Sequence, residues 1–510
     1  MSTVTTLAIL DGAKVAKNLR VTDDTNVLIP HTVLEAETTK IIGTVNIAAA
    51  QTIAVTGALT DTQLRATPVP VSGTVTATGG LTDTQLRASP VPVSGPLTDT
   101  QLRATPVDTH VMSFPVQHVD AFSRLRVSNP GYRFDSQLTY QIDSDLWDVK
   151  ETGDGDVSHD GPERIAILTA GSTPGVNTAV FQSHYHAPYT PGRGQLVFIT
   201  FSIPSSIPAN GEVGCGYFDG TNGIYLKQTA SGVTLNVTTS TSADDESIAQ
   251  DSWNIDPMDG SGPSGIILDT FNTNILVIQM QALYVGQVVV GFDIGGQLVP
   301  VHAFSHANIA VLPYIAQASL PVRYWASTST DATDSVIHAI CASVISEGGD
   351  DLRDIPGRNF VSTGTIANTA TAVLCAIRCK STLNSINQNA VVIPTELDIT
   401  IVDAGAWVSI LLNPTISAGT FTDVSTSSTV EESFAGNVGT DPTISANGTV
   451  IDRFYVPATA TVRNQKTTGL AGKVVLAYSH LLAAGDVLAV LVEGGATTDA
   501  FGTLKWKEIR

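Results

Sequence analysis

Apolar, β-branched runs of six to nine residues recur along much of the chain, broken by Gly, Pro, Asn and Asp. Residues 196–202, 223–228, 233–239, 275–283, 287–292 and 297–303 have this form and read as strands. Tyr284-Val-Gly-Gln287 and Ile294-Gly-Gly-Gln297 fall between them as hairpin turns, where glycine adopts positive φ without a Cβ clash. The spacing predicts an antiparallel, jelly-roll-like β-sandwich over residues 118–348. Further runs at 371–379, 390–402, 407–413, 449–456, 473–478 and 487–493 predict a second sandwich over 358–510. Leu504-Lys-Trp-Lys-Glu-Ile-Arg510 mostly alternates apolar and charged residues and reads as a final half-buried strand. A polar, glycine-bearing hinge at 349–357 separates the two sandwiches. The expected fold class is all-β.

Upstream the pattern changes to a repeat. Leu59-Thr-Asp-Thr-Gln-Leu-Arg-Ala-Thr-Pro-Val69 returns in near-copy at 81–91 and 97–107. Thr60, Thr82 and Thr98 each precede a glutamine (Gln63, Gln85, Gln101) by three residues, the spacing of a capping box that starts a helix. Pro68, Pro90 and Pro106 stop that helix after one or two turns. Such a unit has too little apolar surface to offset the entropy of ordering it alone. Leu59, Leu64, Leu81, Leu86, Leu97 and Leu102 are therefore the expected contacts with sister chains or a larger partner, making 51–117 a stalk. A flexible linker made by duplication is the alternative. In residues 1–50, strand-like pieces at 4–10 and 25–29 bracket a mixed-charge stretch at 11–24. That segment reads as a docking element, or else as a frayed terminus.

Charge narrows the partners. The formal net charge is −21, and residues 116–355 carry 26 acidic against 9 basic residues. Such a surface repels a phosphate backbone, so nucleic acid is not an expected partner. No apolar run is long enough to cross a bilayer and no basic, then apolar, leader opens the chain, so neither membrane insertion nor a signal peptide is expected. Four cysteines are too few for a disulfide framework and fit folding in a reducing cytoplasm, with Cys375 and Cys379 read as packed thiols.

Candidate chemistry is sparse. His184-Tyr-His186 has the period-two spacing that puts two imidazoles on one strand face, a start for zinc. No third ligand is marked nearby, and Pro188 and Pro191 favour a loop with structural histidines. His302 and His306 lie four apart but in strand-and-turn sequence. Asp154-Gly-Asp-Val-Ser-His-Asp160 reads as an acidic loop without EF-hand spacing, and Asp244-Asp-Glu246 as a solvated turn. Hydrolase, phosphate-loop and zinc-protease motifs are missing, so no catalytic residue, metal or cofactor is expected.

Asp120-Ala-Phe-Ser-Arg-Leu-Arg-Val-Ser-Asn-Pro130, followed by Phe134-Asp-Ser-Gln137, resembles a stretch of virion structural proteins of tailed bacteriophages, Phe-Gly-Arg-Leu-Arg-Val-Ser and then Phe-Asp-Ser. Ser123 stands where glycine is usual. Asn254-Ile-Asp-Pro-Met-Asp-Gly-Ser-Gly-Pro-Ser-Gly265, Val285-Gly-Gln-Val-Val-Val-Gly-Phe292, Val301-His-Ala-Phe-Ser-His-Ala-Asn308 and Leu320-Pro-Val-Arg-Tyr324 follow in that family's order, and the Leu-Thr-Asp-Thr-Gln-Leu-Arg-Ala repeat is similar to units of phage fibre proteins. The resemblance implies a homotrimeric fibre or appendage on the virion exterior, assembled in the host cytoplasm and docked through residues 1–50 to capsid, neck or tail proteins. Host-surface glycan is an expected partner, with Trp253, Tyr314, Trp325 and Trp407 as candidate stacking platforms; buried core is the competing place for these rings. Two rival roles remain open: a capsid-decorating protein without host contact, and a spike-borne polysaccharide depolymerase with two carboxylates flanking a cleft.

Overall fold

The computed structural model describes residues 4–10, 16–23, 28–30, 118–127, 129–281, 283–329, 333–348, 357–402, 404–436, 440–457, 464–470 and 472–510. The chain divides into two compact units, Met1–Asp108 and Thr109–Arg510. The repeats with their six leucines, and all of the expected hinge except Gly357, lie outside the described residues.

In the first unit, strands Val4–Leu10, Ala16–Asp23 and Leu28–Pro30 form an antiparallel sheet with Leu7 opposite Leu19. The mixed-charge stretch thus contains a strand. Its alternation, Asn18-Leu-Arg-Val-Thr22, has the period of two that its charges obscure.

The second unit opens with a two-sheet sandwich. One sheet runs, edge to edge, through Glu246–Ala249, Gly232–Thr238, Gly223–Thr229, Gly211–Phe218, Val322–Ser329, Val176–Ser183 and Trp147–Thr152. The facing sheet runs through Gln297–Phe304, Val288–Ile294, Asn274–Met280, Gly194–Ser202, Ser335–Glu347, Ile165–Ala170 and Gly155–Asp160, with Gly131–Gln137 also paired to Ser335–Glu347. Every named pairing is antiparallel. Alternate residues of both sheets enter one core, among them Val197, Ile199 and Phe201 from one and Val213, Cys215 and Tyr217 from the other. Trp147 stacks on Phe181 with centroids 4.1 Å apart, meets Phe134 of the facing sheet edge-on, and donates its indole N–H to Ser136 Oγ at 2.6 Å. The Ile294–Gln297 turn forms as read, with Gly295 and Gly296 both at positive φ (63° and 81°). The acidic stretch read as a loop is instead mostly the edge strand Gly155–Asp160, paired with Ile165–Ala170. Side chains alternate along it, and an edge strand tolerates acids on its open face.

Entry to this sandwich is tied to its exit. Asp120 Oδ1 accepts the backbone N–H groups of Phe122 and Arg124, both at 2.9 Å, and Arg124 Nε donates to Asp120 Oδ2 at 2.7 Å. Arg126 Nε and the N–H of Ala121 then reach Glu347, the last residue of the strand Ser335–Glu347, at 2.7 and 3.1 Å. Ser123, at the tip of this turn, has φ of 58°, the left-handed region where glycine costs least.

The second lobe is built on one eight-stranded sheet with three two-stranded sheets beside it, where the sequence pattern predicts a second pair of facing sheets. Its spine is the 23-residue strand Val487–Ile509, which merges the runs read as separate strands at 487–493 and 504–510. Arg358–Cys379 pairs along it on one side. On the other side it pairs first with Ala406–Leu412 and then with Val391–Val402. Leu374 packs closely over the opposed pair Gly364 and Gly502: Cβ atoms there would meet Leu374 O at 2.1 Å and Leu374 Cδ2 at 2.3 Å. Leu374, Trp506, Ile410 and Leu397 fill the core. Pro394, which has no N–H to give, sits at a register break opposite Trp506. The ending alternates as read, with Lys505 and Lys507 half-buried between Leu504, Trp506 and the buried Glu508. Its carboxylate accepts Ser428 Oγ at 2.6 Å and both the N–H and hydroxyl of Thr429 at 2.9 Å.

Candidate functional site

The two lobes meet along a small apolar patch, Val391, Ile393 and Ile509 with Tyr185 and Val475, and beside it a buried polar latch. His184 follows the strand Val176–Ser183, Asp148 lies on Trp147–Thr152, and Asp486 immediately precedes the long strand of the second lobe. His184 Nδ1 contacts Asp148 Oδ1 at 2.7 Å and Nε2 contacts Asp486 Oδ2 at 2.8 Å, so both ring nitrogens face carboxylates from different lobes. Burial alone would lower the histidine pKa; the two hydrogen bonds and the two negative charges outweigh it and raise it to about 10. The ring is thus an imidazolium at neutral pH. The carboxylates are fully used: Ser479 Oγ donates to Asp148 Oδ2, Asn413 Nδ2 to Asp486 Oδ1 at 2.9 Å, and Ala477 N–H to Asp486 Oδ2 at 2.9 Å.

Two residues on, His186 turns the other way, into a cleft of about 710 Å³ between the lobes. Its Nδ1 lies 3.2 Å from Ser319 O, a carbonyl that can only accept, so the ring proton sits there. Nε2 is therefore a bare lone pair; it is buried and has no partner among the protein's own atoms. Burial pushes the His186 pKa down to about 4 and keeps the ring neutral. Opposite stands His480, whose Nε2 donates to Gln388 O at 2.8 Å, leaving Nδ1 as an acceptor. The two ring centroids are 6.3 Å apart.

Turn chemistry builds the walls. Asp219 Oδ1 takes the N–H and hydroxyl of Thr221 and the N–H of Asn222, each at 2.8 Å, fixing the turn between two strands of the first lobe. Asn222 then holds the 316 loop by accepting Ala316 N–H at 3.1 Å. From the second lobe, the hairpin Thr382–Leu383 to Ile386–Asn387 turns through Asn384 and Ser385, both at positive φ, and places Asn387 at the mouth. Asn389 Nδ2 reaches Ser319 O at 3.3 Å across the lobes, while its Oδ1 is buried without a partner. Arg323 donates Nε to Gln182 Oε1 at 2.8 Å, lies over the Phe218 ring, and is lowered to about 10, chiefly by burial.

Apart from His184 and His186, the residues singled out in the sequence fall elsewhere. Trp253 and Tyr314 are buried in the first lobe, Trp253 donating to Ile248 O at 3.4 Å and Tyr314 stacked on His306 at 3.9 Å. Trp325 is half-buried, edge-on to Phe218 and Tyr225. Trp407 is 47% exposed, beside Tyr455 and under Arg453. The structure does not bring these four rings together, and none lines the cleft. His302 and His306 diverge as well: His302 Nδ1 accepts Asn254 N–H at 3.1 Å, and His306 contacts Gly286 O and Glu246 Oε1 at 3.1 and 2.8 Å. Among the described residues, no three His, Cys, Asp or Glu side chains gather as a metal site would require, and no helix is long and apolar enough to cross a membrane.

No protein-family model matches the chain, and no curated protein matches it. Among solved structures it is similar to an endo-1,3-β-glucanase from Streptomyces sioyaensis, at 9% identity over 44% of this chain and 98% of that one, with a TM-score of 0.33. A β-1,3-glucanase from Mycobacterium marinum aligns at 12% identity over 42% of this chain and 98% of its own, with a TM-score of 0.31. A winged bean acidic lectin aligns at 11% over 43% and 99%, with a TM-score of 0.28. Likenesses of this order carry no argument about what the chain binds or does.

Proposed function

We propose that the chain is a structural appendage of a tailed-phage virion. Its N-terminal part docks on capsid, neck or tail, residues 51–117 form the stalk of a homotrimer, and the two β lobes stand on the particle exterior to attach to the host surface. The observation that carries this reading is what the motif residues do. In the segment that resembles virion proteins, Asp120 holds Arg124, and Arg126 with the Ala121 N–H clasps Glu347 at the end of the last strand of the sandwich. Tension arriving from the stalk side therefore reaches the end of a central strand through charge-assisted hydrogen bonds, instead of peeling an edge. Two further motif segments are tied to each other, Asn254 donating to Ala303 O and accepting Ala303 N–H, both at 2.9 Å, while Tyr324 OH, from another, spans the core to Thr200 O and Cys341 O at 3.1 Å.

Light scattering on the full-length protein tests the assembly. A particle about three times the 53.3 kDa chain mass is expected. A monomer that persists at high concentration contradicts the stalk and the appendage built on it.

A further inference from the structure

We infer that the cleft between the lobes is a binding site for a neutral saccharide, which it holds through hydroxyl groups without cleaving it. This deepens the attachment role proposed above and rests on that role only for the source of the sugar.

The inference starts from the buried lone pairs. His186 lines the cleft though only 3% exposed, its Nδ1 proton is committed to Ser319 O, and its buried Nε2 has no partner in the protein. Asn389 Oδ1 is in the same position, and His480 adds a third acceptor. A buried acceptor left unpaired costs about 1–3 kcal/mol, so this wall calls for donors. Facing it are donors, the guanidinium of Arg323 and the ammonium of Lys150, the latter 3.2 Å from Leu481 O.

The occupant must both donate and accept. An anion without a proton, such as sulfate, only accepts and would leave the imidazole lone pairs unmet; the acidic balance around residues 116–355 opposes any anion, phosphate included. A cation gains from the lone pairs but meets Arg323 and Lys150. A polyhydroxylated neutral ring suits both walls, because each hydroxyl donates one hydrogen bond and accepts others. The volume, about 710 Å³, falls in the range of small-ligand clefts, about 300–1,000 Å³. Glycoside cleavage by the usual scheme takes two carboxyl groups about 5–9.5 Å apart, whereas Asp219 is the one carboxylate among the described residues lining the cleft. Its Oδ1 is already occupied by the 219–222 turn.

Calorimetric titration and saturation-transfer NMR on the full-length protein test this, with trisaccharides of glucose, galactose and N-acetylglucosamine as probes and sialyllactose and a sulfated disaccharide as acidic controls. At least one neutral trisaccharide should bind and be recovered intact. Asn387→Trp, on an exposed hairpin at the mouth, should lower its affinity at least tenfold with an unchanged melting temperature. His186→Phe, which keeps the ring and removes the acceptor, should lower it as well. Binding by none of the neutral probes, binding of the acidic probes alone, or undiminished binding in Asn387→Trp would overturn the site; cleavage of the bound sugar would overturn the binding-only role. Adsorption of labelled protein to host cells separates the two readings. If Asn387→Trp loses the sugar but still adsorbs normally, the site stands and its part in attachment falls.

Discussion

Replacing His184 by leucine removes the one cation between Asp148 and Asp486 and leaves two buried carboxylates facing an apolar side chain. A histidine raised from 6.5 to about 10 on folding corresponds to about 5 kcal/mol of linked stability, at about 1.4 kcal/mol per pH unit. Breaking a buried ion pair by removing one partner costs about 3–5 kcal/mol, which agrees in size. The raised pKa fixes the sign. The contribution is present in full below about pH 6.5 and falls as pH climbs toward 10, where the native ring loses its extra proton. Urea unfolding followed from pH 6 to 10 should therefore show wild-type stability declining across this window. His184→Leu should start about 3–5 kcal/mol lower and lack that decline. Because the latch joins the lobes, calorimetry should also resolve two separated transitions in the variant where the wild type shows stronger coupling. An unfolding free energy within about 1 kcal/mol of wild type, with the same pH slope, would refute the imidazolium bridge.

Other consequences follow from packing and backbone geometry. Gly364→Ala places a Cβ against Leu374 O and should cost at least about 1–3 kcal/mol in urea unfolding, because backbone must move to admit it. Ser123→Gly relieves a left-handed residue in the entry clasp and should stabilise by about 0.5–1 kcal/mol; a destabilised protein would contradict the turn geometry. Native-state thiol labelling should modify Cys341 quickly and Cys215, Cys375 and Cys379 only on unfolding. Those three are buried, and burial pushes their thiols up, Cys375 to about 12. Glu347→Gln weakens the clasp on Arg126 and should speed tryptic cleavage at Arg124 and Arg126; an unchanged cleavage rate would show that the tie is not what protects the entry segment.

The first sandwich is partly legible from local signals. β-branched runs give six of its strands and paired glycines give the turn at Ile294–Gln297, because both signals act within a few residues, whereas the central strands Gly211–Phe218, Val322–Ser329 and Ser335–Glu347 are not among those runs. Composition misleads where it competes with alternation. Asp156, Ser158 and Asp160 look like a solvated loop, yet Val157 and His159 between them set the period of a strand. In the second lobe, Gly494 and Gly495 read as a break, but the strand runs through them because Arg358–Cys379 pairs alongside on both sides of them. The site was half visible. His184 and His186 stand out in sequence, whereas their partners do not: Asp486 lies 302 residues from His184, and the hairpin bearing Asn387 comes from the other lobe. Nothing in a local window says which of many aspartates will meet a given histidine. Trp253 and Tyr314 illustrate the converse, since an aromatic ring looks the same in sequence whether it packs in a core or faces solvent.

Electron microscopy of intact virions of the proposed parent phage bears most directly on the appendage proposal. The account predicts three copies of the two-lobed unit in each projecting density, outside the shell, with the N-terminal residues at the particle surface and the cleft open to solvent. Virions that lack the chain, or that hold it inside the shell, would contradict it.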